Sequence, residues 1–247
     1  MATQIEGGAA FSAPQRGFMA DQGFFVRYAI VLAVFIMFGF LQFAARGYSN
    51  FGAAPLLVHL HGGLMVAWLG IFIAQNMLVH RGELGLHRKL GWTSAGLVIV
   101  VAVTGVAVGY NAVATNRLPP FFSDSFFLAL TAVGSISFAA MVVWAITLRR
   151  QVQWHRRIML GAMFILLEPA LGRLLPMPLL GSWGEWLILV VQLIFVAILA
   201  NHDRKVLGSV HGATKAIAGI LIAQHVVIET LAVLPPFVAF AEAVAAG

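Results

Sequence analysis

The sequence contains no cysteine. Disulfide bonds, thiolate metal sites and iron–sulfur clusters are therefore excluded, because each of them needs cysteine sulfur. Histidine, carboxylate and methionine side chains remain as possible metal ligands, and the chain has 8 histidines.

Charged residues are also scarce, at 10% of the chain against about 25% in an average soluble domain. Hydrophobic residues make up 61% of the 247 residues, compared with about 45–50% in soluble domains. This composition predicts a polytopic membrane protein whose main partner is the lipid bilayer. The formal net charge of +6 does not indicate nucleic-acid binding, because the basic residues lie in short loops, where membrane topology explains them.

Several catalytic motifs are absent as well. The chain has no HExxH zinc motif, no Walker phosphate loop, no GxSxG nucleophile motif and none of the histidine boxes of membrane di-iron enzymes. A hydrolase or a kinase is therefore excluded, and the sequence leaves open whether the protein is an enzyme of another kind.

Apolar segments close to the length of a transmembrane helix, about 20 residues, recur along the chain. Counting them predicts an all-α membrane helix bundle with seven transmembrane helices. We number these spans 1 to 7, near residues 24–45, 55–79, 89–110, 124–148, 157–175, 184–201 and 212–234. Span 5 is the least regular, because Glu168, Pro169 and Arg173 interrupt it.

The basic residues predict the orientation of the bundle. Of the 15 Lys and Arg residues, only Arg46, Arg117 and Arg173 fall on one side of the predicted membrane. The other side holds Arg16, Arg27, Arg81, Arg88, Lys89, Arg149, Arg150, Arg156, Arg157, Arg204, Lys205 and Lys215. Short cytoplasmic loops are enriched in Lys and Arg, so we expect the N-terminus inside, the C-terminus outside and a location in the bacterial inner (cytoplasmic) membrane.

The chain is predicted to form one domain. Residues 1–22 are typical of a flexible cytoplasmic tail without the features of a signal peptide, and residues 23–247 form the transmembrane domain. The loops "HRGELGLHRKLG" (80–91) and "NHDRKVLGSVHGATK" (201–215) resemble each other, and "QWHRRIMLG" (153–161) resembles their second half. The simplest organisation is one extra helix followed by three helical hairpins.

Ionisable residues inside the spans are the first candidates for a functional site, because intramembrane charge is costly and marks function by default. The candidate metal ligands in the outer half of the membrane are His59, His61, His225 and Glu229. Neutral imidazole suits iron, copper and zinc, so haem or one of these metals is the expected cofactor. The alternative is that His59 and His61 simply reach the outer interface.

Span 5 adds Glu168 and Arg173 at a similar depth. Their side chains are predicted to surround the metal or to form a proton pathway, which would make spans 2, 5 and 7 neighbours. The alternative is that the two charges neutralise each other without any function. A second group of histidines, His87, His155 and His211, begins three helices at the cytoplasmic boundary and is a further candidate site, although histidines there often contact lipid phosphate.

The stretch "HLHGGLMVAWLGIFIAQNMLVHRGELGLHRKLGW" resembles a group of uncharacterised bacterial membrane proteins in which H-x-H opens one span and H-R-x-L-G opens the next. The stretch "HRRIMLGAMFILLEPALGRLLP" (155–176) is similar to their second motif. The chain also resembles, more loosely, bis-histidine membrane cytochromes and respiratory oxidase assembly proteins. The resemblance implies a common helical organisation and, by analogy only, haem or metal binding.

Three functions remain open. The first is a protein that binds haem or a transition metal and serves membrane electron transfer or respiratory oxidase assembly. The second is a transporter or proton-coupled channel that uses the intramembrane Glu, His and Arg residues. The third is an accessory subunit, without chemistry of its own, of a larger membrane complex or a homo-oligomer.

Overall fold

The computed structural model describes residues 20–119, 121–181 and 183–247. Most of the predicted tail, residues 1–22, therefore lies outside the described residues. Within these ranges the regular secondary structure is entirely helical. The helices are α1 (Gln22–Ala45), α2 (Leu56–His80), α3 (Leu84–Ala114), α4 (Asp124–Thr147), α5 (Val152–Ile165), α6 (Leu167–Leu174), α7 (Met177–Leu180), α8 (Trp183–Leu207), α9 (Gly212–Val233) and α10 (Pro235–Ala246), with a 3₁₀ turn at Phe51–Ala53.

Six of these described helices, α1, α2, α3, α4, α8 and α9, are long and apolar enough to cross a membrane. The shortest has 22 residues, and at about 1.5 Å per residue that length exceeds the hydrocarbon core of about 30 Å. Large apolar side chains such as Val34, Phe38 and Leu41 are exposed on the outside of α1, where a bilayer would cover them. The structure thus confirms the predicted all-helical fold, with six described helices able to span a membrane.

Span 5 is present as two helices, α5 with 14 residues and α6 with 8, which meet at Leu166. The cause is Pro169, which has no backbone N–H and so cannot donate to the carbonyl of Ile165, four residues earlier. The side chain of Gln192 in α8 compensates nearby by donating a 3.0 Å hydrogen bond to the carbonyl of Phe164. Neither piece is long enough to cross a bilayer by itself.

Helices α5 and α6 form the buried centre of the bundle and run beside α1 in the same direction. At one end, Asp21 before α1 pairs with Arg156 in α5. At the other end, the side chain of Gln42 in α1 donates a 2.9 Å hydrogen bond to the carbonyl of Arg173 in α6. We call these the Asp21 end and the Arg173 end of the bundle.

The remaining helices pack around this pair. Helix α2 packs on α1 and α3, α3 packs on α4, and α9 packs on α4, α5 and α8. Of the predicted neighbours, spans 2, 5 and 7, spans 5 and 7 therefore pack on each other, whereas span 2 packs mainly on spans 1 and 3. Short loops place α2 beside the helices adjacent to it in the chain. The largest side chains buried between the helices include Phe25, Trp68, Phe138, Phe164 and Leu199.

Candidate functional site

A buried carboxylate lies where α5 ends and α6 begins. Glu168 is in the first turn of α6 and is only 6% exposed, because α1, α8 and α9 pack around the central helix. Its Oε2 accepts a 3.0 Å hydrogen bond from the side-chain nitrogen of Gln224 in α9. One neutral amide is thus its hydrogen-bond donor, and the described part of the chain has no basic group within ion-pair distance of it.

Arg173 does not neutralise Glu168, although the two residues lie on the same short helix. Its guanidinium donates a 2.7 Å hydrogen bond to the carbonyl of Pro169 and lies 4.2 Å from the ring centre of Phe40 in α1. The arginine thus binds a backbone carbonyl of its own helix and an aromatic ring. It does not compensate the charge of Glu168.

A second carboxylate, which sequence reasoning missed, lies close to Glu168. Glu185 is in the first turn of α8, is 7% exposed, and interacts electrostatically with both Glu168 and Glu229. Its Oε1 is buried and has no hydrogen-bond partner among the described residues. Glu185 lies one residue inside the predicted start of span 6, and only the packing of α8 against α6 and α9 brings it to Glu168.

His225 and Glu229 lie one helical turn apart on α9, as their i, i+4 spacing predicts. Nε2 of His225 is 3.8 Å from Oε1 of Glu229, and the imidazole packs against Trp186 with ring centres 4.4 Å apart. His225 is 5% exposed, whereas the Glu229 side chain is 35% exposed. Together, Glu168, Glu185, Gln224, His225 and Glu229 form what we call the outer cluster, near the Arg173 end.

The span 2 histidines make other contacts. Nδ1 of His61 is 2.9 Å from Oγ1 of Thr104 in α3. The Thr104 hydroxyl donates to the carbonyl of Val100, so its oxygen accepts a hydrogen bond from the protonated Nδ1 of His61. Nε2 of that imidazole therefore keeps its lone pair. His59 is exposed at the start of α2. The hydrogen bond therefore joins His61 to α3, and no described contact joins it to His225.

The described contacts bring together two of the four predicted metal ligands, His225 and Glu229. Within residues 20–119, 121–181 and 183–247, no group of three or more His, Asp and Glu side chains is arranged to hold a metal ion. The pair His225 and Glu229 is brought together with Glu168, and Arg173 lies outside the group. A metal held by all four residues stays a prediction.

The Asp21 end carries a network of buried ion pairs. Arg157 and Asp203 are both 0% exposed and are 2.6 Å apart. The other oxygen of Asp203 accepts hydrogen bonds from the Thr214 hydroxyl at 2.6 Å and from the backbone nitrogen of His211 at 3.1 Å. This carboxylate therefore ties together the start of α5, the end of α8 and the start of α9.

A second ion pair lies beside the first. Both oxygens of Asp21 accept hydrogen bonds from Arg156, at 2.7 and 2.8 Å, and one of them is also 3.1 Å from Nε2 of His202. The imidazole of His202 stacks on the ring of Phe24 with 3.7 Å between ring centres. Gln153 accepts hydrogen bonds from Arg156 and from the neighbouring Arg157, so the two ion pairs are joined.

Two of the three candidate histidines at this end lie side by side. The ring centres of His87 in α3 and His155 in α5 are 6.4 Å apart. His211 caps α9 through its Nδ1, which accepts a 3.1 Å hydrogen bond from the nitrogen of Ala213. This hydrogen bond makes His211 the N-cap residue of α9. Its ring packs on Trp154.

No protein-family model, curated protein or solved structure matches this chain. The resemblance drawn from the H-x-H and H-R-x-L-G motifs therefore stays a prediction.

Proposed function

We propose that this protein conducts protons through a lipid bilayer, as a transporter or proton-coupled channel, and that the outer cluster carries the protons. The observation that carries the proposal is Glu168, a carboxylate buried inside the bundle that accepts its hydrogen bond from a neutral amide. Burying a carboxylate without a cation is costly, and such residues in membrane proteins mark ion pathways and proton relays.

The neighbours of Glu168 form a graded route towards the Arg173 end. Glu229 is the most exposed member, which makes it the entry point for protons in this proposal. His225 lies beside it, and Glu185 interacts with both Glu229 and Glu168. Carboxylates and imidazoles both bind and release protons, so a proton can pass from one to the next.

The interruption of the central helix supports the same function. Transporters often place their ion and substrate sites where a membrane helix is discontinuous, because the freed backbone groups and the helix ends face the transported species. Here the interruption at Leu166 places Glu168 in the first turn of α6, next to the freed backbone. The freed carbonyl of Ile165 at the end of α5 and the carboxylate of Glu168 both favour binding of a proton or a small cation. The positive N-terminus of α6 stabilises the ionised form of that carboxylate between proton transfers.

We further propose that α5 and α6 act together as one crossing, which makes seven in all with the N-terminus inside the bacterial cytoplasm. Together they cover residues 152–174, about 35 Å at 1.5 Å per residue. The uneven distribution of Lys and Arg supports this orientation. Reporter fusions should place the loop at 116–119 outside, and a cytoplasmic location of that loop would refute the orientation.

Proton conduction can be measured with purified protein in liposomes. A pH-sensitive dye is trapped inside, and a potassium gradient with valinomycin drives protons inwards. Wild-type protein should acidify the lumen, and Glu168→Gln should reduce the rate to that of protein-free liposomes, because the amide cannot release a proton. Glu242→Gln is the matched control, since that glutamate is exposed on α10 and its replacement should leave the rate unchanged.

Two outcomes would contradict the proposal. If wild-type protein acidifies the liposomes no faster than lipid alone, the outer cluster does not conduct. A folded Glu168→Gln variant that conducts as fast as the wild type would show that the route does not pass through Glu168.

A further inference from the structure

Two imidazoles from different helices face each other at the Asp21 end of the bundle. His87 lies in the first turn of α3 and His155 in the first turn of α5. Their ring centres are 6.4 Å apart and their planes are nearly perpendicular, at 85°. This pair lies at the opposite end of the bundle from the outer cluster and has no part in the proposed proton route.

One ring nitrogen of His155 already makes a hydrogen bond, and this determines which nitrogen is free to bind a ligand. Nδ1 lies 2.7 Å from the carbonyl oxygen of Ala145 in α4. A carbonyl only accepts hydrogen bonds, so Nδ1 carries the proton and Nε2 keeps a lone pair. Metal-binding histidines commonly show this arrangement, in which the second nitrogen donates to a backbone carbonyl and fixes the ring orientation.

The other imidazole has an unsatisfied nitrogen. Nδ1 of His87 is buried and has no hydrogen-bond partner among the described residues. The same is true of the side-chain oxygen of Gln75, whose backbone contacts the His87 ring. Buried polar atoms nearly always have partners, so the unpaired atoms of His87 and Gln75 indicate that a ligand binds here.

The spacing of the rings favours a particular coordination. With a metal–nitrogen distance of about 2 Å, a metal lies about 3 Å from the centre of each imidazole ring. Two imidazoles on opposite sides of one metal then have ring centres about 6 Å apart, whereas a tetrahedral angle brings them to about 5 Å. The observed 6.4 Å agrees with the linear arrangement.

The local charge also selects among metals. Arg88 interacts electrostatically with His87, and Arg149 interacts with His155. Two neighbouring positive charges oppose a divalent ion more strongly than a monovalent one. We propose that His87 and His155 bind one copper(I) ion between them in a linear two-nitrogen site, with Gln75 beside it.

The test is a copper(I) titration of the full-length protein in detergent, under reducing and oxygen-free conditions, against a chromophoric copper(I) chelator. Wild-type protein should withdraw one equivalent of copper from the chelator. His87→Gln and His155→Gln should each lose this binding by at least tenfold. His80→Gln is the matched control, because His80 is exposed at the end of α2 on the same side, and it should bind as the wild type does.

Each other outcome overturns the proposal. If the double variant His87→Gln, His155→Gln withdraws as much copper as the wild type, copper binds elsewhere. If His80→Gln loses as much binding as His155→Gln, the binding is unspecific. A Soret band in the purified protein that disappears in His87→Gln would identify haem iron as the metal instead. Size-exclusion chromatography checks the fold of each variant. If His155→Gln does not fold, the copper binding of His87→Gln, at the less enclosed position, decides the test.

Discussion

Breaking the buried ion pair between Arg157 and Asp203 is expected to lower the stability of the bundle. Both side chains are 0% exposed, and Asp203 also accepts hydrogen bonds from the Thr214 hydroxyl and the backbone nitrogen of His211. Asp203→Ala would leave a buried guanidinium without its counter-charge and two donors without their acceptor. The start of α5, the end of α8 and the start of α9 would lose their common contact.

The expected loss follows from the energetics of buried charge. Removing one partner of a buried pair typically costs about 3–5 kcal/mol, because the remaining charge stays in a medium of low polarity. Gln153 still accepts hydrogen bonds from Arg157, so we expect a value in the lower half of that range. In a domain of this size a loss of about 3 kcal/mol lowers the unfolding midpoint by about 6–12 °C.

The assay is thermal unfolding in detergent at one fixed scan rate, followed by the fraction of protein that remains monodisperse. Glu83→Ala is the control, because Glu83 is exposed and its side chain does not cap α3; it should change stability by less than about 0.5 kcal/mol. The double variant Arg157→Met, Asp203→Leu removes both charges and should recover at least half of the loss.

Two results would refute this reasoning. A midpoint for Asp203→Ala within about 2 °C of the wild type would mean that the pair is not buried as described. A double variant less stable than Asp203→Ala would mean that the uncompensated charge of Arg157 is not the main cost.

Two further predictions concern helix packing and pH. Gly39→Ala should lower the free energy of unfolding by about 1–3 kcal/mol, because the new Cβ would lie 2.9 Å from the Cβ and the backbone oxygen of Ala170. Gly62→Ala is the control and should not destabilise, since a Cβ there would have nothing within 4 Å. Equal losses of the two variants in thermal unfolding would refute the α1–α6 contact. Burial lowers the pKa of His211, and the nearby Arg157 charge adds to this effect; its Nδ1 accepts from Ala213 only when unprotonated. The contribution of this hydrogen bond to stability is therefore fully present above the ordinary histidine pKa of about 6.5. It is lost as the pH falls through the lower pKa that His211 has in the folded protein. His211→Asn keeps an acceptor and should flatten that part of the pH profile of unfolding, and an unchanged profile would contradict the assignment.

The membrane bundle could be predicted because hydrophobicity is a local property of the chain. Each of the six long helices coincides with a predicted span to within about six residues at either end. The interruption of the central helix was also foreseeable, since Pro169 removes a backbone donor wherever the helix lies. The i, i+4 contact between His225 and Glu229 follows from helical periodicity alone.

The composition of the candidate site was predicted only in part. Depth along a helix follows from residue number at 1.5 Å per residue, so Glu168, His225 and Glu229 were placed in one layer before any packing was known. Depth does not say which way a side chain points around the helix axis. His61 has a suitable depth, yet its imidazole bonds to Thr104 in α3.

The tertiary structure alone decided which charges meet. The sequence assigned Arg156 and Arg157 to a basic cytoplasmic loop, but the bundle buries both and pairs them with Asp21 and Asp203. Those partners are 135 and 46 residues away, and nothing in the local sequence selects them. The reason is physical: hydrophobicity and helical period act within one segment, whereas the rotation of each helix, and with it the partner of each buried charge, is set by how all the helices pack together.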